Sequence, residues 1–153
     1  MAIFLVTGGC GFIGSEFLRR RTEKYPEDFF ICFDALTYVG HRINIRSLLL
    51  KKNFTFRKGD IRDKEAVEKV FQDYPIDYVV NFAAESHVDR AISQPDAFIQ
   101  TNINGTFALL EAVRTYWQNL DHVAQRHFRY VQISTDEVYG SLELQSAPFT
   151  EGD

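Results

Sequence analysis

Short apolar runs alternate with helical patterns along the whole chain, and the first junction between them is rich in glycine. The run Ile3–Thr7 passes straight into Gly8-Gly9-Cys10-Gly11-Phe12-Ile13-Gly14. A helical pattern over 14–24 follows, with Phe17 and Leu18 on its inner side. Further strand-like runs are 29–33, ended by Asp34; 54–56, ended by Gly59-Asp60; 77–84; and 130–134. Between them the spacing predicts a short helix over 42–50 and a helix over 64–74. The second has Asp63 as its N-cap and Ala66, Val67, Val70 and Phe71 one helical turn apart. A long helix is predicted over 95–120, with Phe98, Phe107, Leu110 and Val113 among its apolar positions. Strands that are apolar on both faces and separated by helices predict an α/β fold, a parallel sheet wound on both sides by helices.

Bulk properties narrow the classes of partner. A length of 153 residues predicts one domain, 1–153, able to bury roughly 70% of its unfolded surface. The net charge of -4 leaves no basic footprint, so nucleic acid is not expected as a partner. Phosphates remain possible ligands, because helix N-termini hold them without net positive charge. Cys10 and Cys32 are too few for a disulfide framework and too far apart in sequence for a zinc site. They suit a reduced, cytoplasmic setting. Residues 2–6 are too short for a signal-peptide core or a membrane span, and no membrane association is expected. The polar stretch 119–127 reads as a loose connection, and the residues from Ser141 onward carry no pattern.

Four segments carry chemistry. In the first, Gly8, Gly11 and Gly14 recur every third residue between a strand and a helix. That context lets a backbone turn tightly and approach a diphosphate at the helix N-terminus. A turn that merely packs helix on strand is the alternative. In the second, Asp34 ends the next strand, twenty residues after Gly14. An acid there accepts from both ribose hydroxyls and repels a 2′-phosphate, favouring NAD over NADP. Its alternative role is to cap a turn before Leu36-Thr37. Asp60 is placed either to meet an adenine or to hold its own turn.

The third segment is Asn81-Phe82-Ala83-Ala84-Glu85-Ser86-His87-Val88-Asp89-Arg90. Ligands of a doubly wound sheet lie at the carboxyl ends of the strands. Small Ala83 and Ala84 would admit a nicotinamide ribose there, and the polar run behind could bind a sugar. Alternatively His87 and Arg90 solvate a loop and pair with Asp89; no second ligand stands at a spacing that suits a metal. The fourth segment is Ser134-Thr135-Asp136-Glu137-Val138-Tyr139-Gly140. Two adjacent carboxylates suit a division of labour, one group giving a proton and the other taking one. An idle, exposed turn is the alternative, and the position at the ligand-facing end of the last strand argues for chemistry.

Together these strings resemble the extended short-chain dehydrogenase/reductase superfamily and, within it, the dTDP-glucose 4,6-dehydratase family. The matching strings are 7–14, 34–40, 59–63, 83–90 and 134–140, the last reading Ser-Thr-Asp-Glu-Val-Tyr-Gly. The resemblance implies a Rossmann-type sheet of strand order 3-2-1-4-5, stopping before a sixth strand and the substrate domain. It implies NAD as cofactor. Gly8, Gly11, Phe12, Ile13 and Gly14 would line the diphosphate; Asp34, Ala35, Leu36 and Thr37 the adenosine ribose; Asp60 and Ile61 the adenine. Phe82, Ala83, Ala84, Glu85, Ser86 and Thr101 would flank the nicotinamide half, and Ser86 and Thr135 would also touch the sugar. Asp136 would protonate the departing C6 hydroxyl of dTDP-glucose and Glu137 would take the proton from C5, giving a 4-keto-6-deoxy sugar. No metal is implied.

Two departures stand out. Cys10 occupies a position usually held by alanine, and no Tyr-x-x-x-Lys occurs in the chain. The second implies an N-terminal portion of the enzyme that is inactive alone, with the homodimer of the family expected for the full-length protein. A non-enzymatic NAD-binding module and a UDP-glucose dehydratase are the other readings.

Overall fold

The computed structural model describes residues 1–152; Asp153, the last residue of the expected domain, lies outside the described residues. In chain order the elements are β1 (Ile3–Thr7), α1 (Phe12–Lys24), β2 (Phe29–Asp34), a 3-10 helix (Arg42–Leu48), β3 (Phe54–Lys58) and α2 (Lys64–Asp73). There follow β4 (Tyr78–Asn81), α3 (Val88–Ser93), α4 (Pro95–Phe98), a π-helical stretch (Ile99–Gly105), α5 (Thr106–Gln118), α6 (His122–His127), β5 (Arg129–Gln132) and a 3-10 turn (Asp136–Tyr139). The strands form one parallel sheet in the order β3-β2-β1-β4-β5, as expected.

Each face of the sheet has its own core. Leu18 of α1 and Ile45 and Leu48 of the 3-10 helix close over Phe4, Val6, Phe30 and Cys32. On the other face Val67 and Val70 of α2 and Leu109 and Val113 of α5 close over Leu5, Ile31 and Val79. Burial on both faces explains the unbroken apolar strands, and each fully buried Leu or Ile contributes about 1.5–3 kcal/mol. β1 is the central strand, with β2 on one side and β4 on the other.

Several elements differ from the sequence expectation. The long helix is interrupted by the π-helical stretch Ile99–Gly105. There a Cβ at Gly105 would stand 2.9 Å from Ile61 Cγ1, so the backbone packs close against the turn that follows β3. The stretch read as a loose connection contains α6. Asp121 caps it by accepting from Val123 N and Ala124 N, both at 2.8 Å. Trp117 and Gln125 each donate to the other's carbonyl at 3.1 Å, which lashes α6 to α5. Asp63 does cap α2, accepting from Ala66 N at 3.1 Å. β4 is shorter than its apolar run, because Phe82 to Ser86 leave the sheet. β5 is an outer strand and is largely exposed.

Candidate functional site

The chain leaves β1 where the winding of the sheet reverses, the place at which an α/β sheet opens a crevice. Gly8 makes the turn at φ +67°. A Cβ there would stand 2.5 Å from Ala83 N and 2.6 Å from the Phe82 carbonyl carbon, so the glycine turn lies against the backbone leaving β4. At Gly14 a Cβ would stand 2.4 Å from the Gly8 carbonyl oxygen, which brings α1 down onto the same turn. Gly11 caps the thirteen-residue α1 without a side-chain hydrogen bond. Its own N–H donates to Gly8 O at 3.2 Å and its carbonyl accepts from Ser15 N at 3.0 Å. Phe12, at the first helical position, is 92% exposed. An uncapped helix N-terminus above a side-chain-free turn is a cradle for an anion.

Asp34 lies at the end of β2, 7% exposed. Its Oδ2 accepts from Cys10 N at 2.8 Å and its Oδ1 from Leu36 N at 2.7 Å. The carboxylate therefore ties the glycine turn to the β2 exit and also caps the turn before Leu36, the alternative role weighed for it. Leu36 is held at φ +56°, between half-buried Ala35 and exposed Thr37. Behind the turn the buried thiols of Cys10 and Cys32 are 3.8 Å apart and unbonded as a disulfide. The Cys10 contact and burial push the Cys32 thiol up, the state of an inert packing group.

The β4 exit is held by two amides. Asn81 is fully buried; its Oδ1 accepts from Ala83 N at 3.1 Å and from the Thr7 hydroxyl, and its Nδ2 donates to Gln132 Oε1 at 2.8 Å. Asn102, in the π-helical stretch, accepts from Glu85 N and donates to Glu85 O, both at 2.8 Å. These bonds fix the path of Ala83-Ala84-Glu85 beside the glycine turn. Glu85 Oε2 is buried with no hydrogen-bond partner among the described residues. The Arg90 guanidinium stacks 3.7 Å from the Tyr38 ring and donates to Gln94, not to Asp89. Burial and the nearby Glu85 carboxylate push the Tyr38 phenol up.

Asp60 serves its own turn, accepting from Arg62 N at 2.9 Å and pairing with the Arg62 guanidinium at 2.6 Å. Burial opposes its ionisation, but the Arg62 hydrogen bonds outweigh it and hold the carboxyl below the usual carboxylate range. Ile61 points into the core, where its side chain is a packing group. Thr101 sits half-buried beside Asn102, whereas Ser86 is exposed.

Thr135, Asp136 and Glu137 follow β5 as a 3-10 turn, all three exposed. The Thr135 hydroxyl caps it, 3.4 Å from Glu137 N and 3.1 Å from Glu137 Oε2. The structure thus brings the glycine turn, Asp34 and the β4 exit into one crevice. It does not enclose the acidic doublet, which stands at the same strand-end edge but faces solvent. A groove of about 540 Å³ lies elsewhere, between α1 and strands β1, β4 and β5, lined by Phe4, Phe17, Arg21, Tyr78, Val80 and Val131. Sequence reasoning gave Asn81, Asn102 and Gln132 no role of their own. Asn81 carried a signal, as the one polar residue of Tyr78-Val79-Val80-Asn81. Gly8→Ala is expected to lower stability by about 2 kcal/mol or more, since the new methyl meets backbone that cannot yield. Gly11→Ala, with 3.3 Å to the nearest atom, should cost less; urea unfolding of the two variants would measure the order.

Comparison with known proteins bears on this arrangement. The dTDP-glucose 4,6-dehydratase of Haemophilus influenzae is 46% identical over 151 residues, 99% of this chain and 44% of that protein. That of Xanthomonas campestris is 48% identical over 151 residues, 99% of the chain and 42% of that protein. The chain thus spans less than half the length of these relatives. The crystal structure of a Bacillus anthracis dTDP-glucose 4,6-dehydratase in complex with NAD superposes with a TM-score of 0.81 at 42% identity, over 99% of this chain and 43% of that one. The likeness to dTDP-glucose 4,6-dehydratases read from the motifs is therefore borne out across the chain. A family model described as GDP-mannose 4,6 dehydratase matches residues 5–153, and the chain belongs to that family.

Proposed function

We propose that this chain is the cofactor-binding part of a cytoplasmic, NAD-dependent 4,6-dehydratase that converts dTDP-glucose to its 4-keto-6-deoxy product. The observation that carries this reading is the glycine turn pressed on the β4 exit under an uncapped helix N-terminus. A dinucleotide fits these residues. Its diphosphate matches the side-chain-free cradle at Gly8, Gly11, Phe12, Ile13 and Gly14. A ribose hydroxyl would take up the free lone pairs of Asp34. Ala83 and Ala84 leave room for the nicotinamide half beside Thr101.

When bound, NAD supplies the hydride acceptor for C4 and the source of the hydride returned to C6. Asp136 donates the proton that lets the C6 hydroxyl leave as water, and Glu137 removes the C5 proton; Ser86 and Thr135 contact the sugar. The Thr135 hydroxyl beside both carboxylates supports this division. No Tyr-x-x-x-Lys is present to take the C4 hydroxyl proton, so residues 1–153 alone are expected to be inactive. The full exposure of the doublet favours one second reading, an NAD-binding module without catalysis. The π-helical stretch and α5 bear exposed Ile99, Ile103, Phe107, Leu110 and Trp117. This apolar stripe supports a homodimer of the longer protein.

Three measurements test these statements. Calorimetric titration of residues 1–153 is expected to give NAD+ at least about tenfold tighter than NADP+, because Asp34 repels a 2′-phosphate. Equal affinities would remove Asp34 from the ribose site, and an NAD+ complex that ignores dTDP-glucose would favour the non-catalytic module. In the longer protein, Glu137→Gln is expected to abolish exchange of the C5 proton with solvent; exchange at the normal rate would exclude Glu137 as the base. Sedimentation of the longer protein is expected to find dimers that Phe107→Glu converts to monomers, and monomers before the substitution would refute the dimer.

A further inference from the structure

Thr7, Asn81 and Gln132 stand in register across β1, β4 and β5, one from the last position of each strand. They crown an apolar column: Leu5 precedes Thr7, Val79 precedes Asn81 and Tyr130 precedes Gln132, each by two residues on the same face. The orientation of the central amide is set by its neighbours. A backbone N–H, that of Ala83, points at Asn81 and needs an acceptor, so Oδ1 faces it. Nδ2 then faces Gln132 Oε1 at 2.8 Å, and the Tyr130 hydroxyl donates to the same oxygen at 2.5 Å. The other end of the Gln132 amide donates to Ile133 O at 3.3 Å, and Ile133 N donates to Asn81 O at 3.1 Å.

Every path from this row leads to a backbone that leaves the sheet. Thr7 precedes Gly8 and its turn. Ala83 opens the segment that runs to Glu85. Ile133 opens the segment that runs to Glu137. One buried side chain is hydrogen-bonded to all three exits or to the residue beside them. We propose that Asn81 is a positioning residue, which holds the β4 exit and the β5 exit in one fixed relation at the end of β1. The inference rests on the reading that this edge binds a dinucleotide, and it says which half of the ligand depends on Asn81. The adenosine half is served by Asp34 and α1, which the row does not touch. The nicotinamide half lies where Ala83 and Ile133 leave the sheet, so its binding is the part that Asn81 governs.

The test compares NAD+ with ADP-ribose, which lacks the nicotinamide, on residues 1–153 with Asn81→Leu and, separately, Gln132→Leu. Asn81→Leu is expected to weaken NAD+ about tenfold or more while ADP-ribose changes less than about threefold. A purely structural role would weaken both ligands together, and that result would overturn the proposal. Gln132 is exposed, so its replacement leaves the core intact and serves if Asn81→Leu fails to fold. In the free Gln132→Leu chain the Ala83 amide is expected to exchange with solvent about fivefold faster or more, because the Asn81 amide has lost its anchor on β5. An unchanged Ala83 exchange rate would also overturn the proposal. If the unsubstituted chain binds neither ligand, the cofactor reading is the one that fails, and the Ala83 exchange rate still decides the role of Asn81.

Discussion

The close approach of the Gly8 turn to the Phe82–Ala83 backbone governs the rest of this structure. β1 and β4 are neighbours only because the chain crosses the sheet between β3 and β4, bringing α2 and α5 to the face opposite α1. That reversal opens the crevice. The absence of a side chain at Gly8 lets the crevice close down to backbone distance, and the same absence at Gly14 lets α1 begin directly above it. Any side chain at either position would separate the helix end, the turn and the β4 exit, and the cradle would be lost. The apolar strands and helices are the frame that makes this contact reproducible.

Polar groups then hold the frame in register where the strands end. The Asp34 carboxylate joins the glycine turn to the β2 exit, the Asn81 amide joins β1, β4 and β5, and Asn102 grips the backbone of Glu85. Buried groups of this kind contribute little net stability, about 0.5–1.5 kcal/mol per hydrogen bond, but leaving one unpaired costs more. Their effect is geometric. They permit one arrangement of the loops at the carboxyl edge and penalise the others.

The acidic doublet belongs to a different part of the design. Asp136 and Glu137 follow an outer strand whose far side is uncovered, and their short turn is held chiefly by Thr135. The segment leaving β4, by contrast, has Asn81 and Asn102 beneath it. In the proposed reaction the ordered part of the edge receives the dinucleotide, and the doublet works on a sugar bound outside the crevice. The family relationship covers both parts, since the matched region runs from residue 5 through the doublet.

Much of this was legible in the chain alone. Unbroken apolar runs specified buried parallel strands, glycines at every third position specified the turn, and Asp63 ahead of an amphipathic run specified the cap of α2. These are local facts, because a strand, a turn or a cap is decided within a few residues of itself. α6 escaped notice because its cap and its lashing to Trp117 act within a stretch whose composition is that of a loop. The π-helical stretch escaped because a helical period does not distinguish it from an α-helix; the packing of Gly105 on Ile61 goes with it. The motif strings likewise singled out candidate residues for a site and suggested a chemistry for it. What only the tertiary structure decided is which of them meet: that Asp34 holds Cys10, that Asn81 stands in register with Thr7 and Gln132, and that the doublet is left in solvent. Hydrogen bonds between strands 50 or more residues apart depend on register and on the order of the strands, and neither is written in any short stretch of sequence.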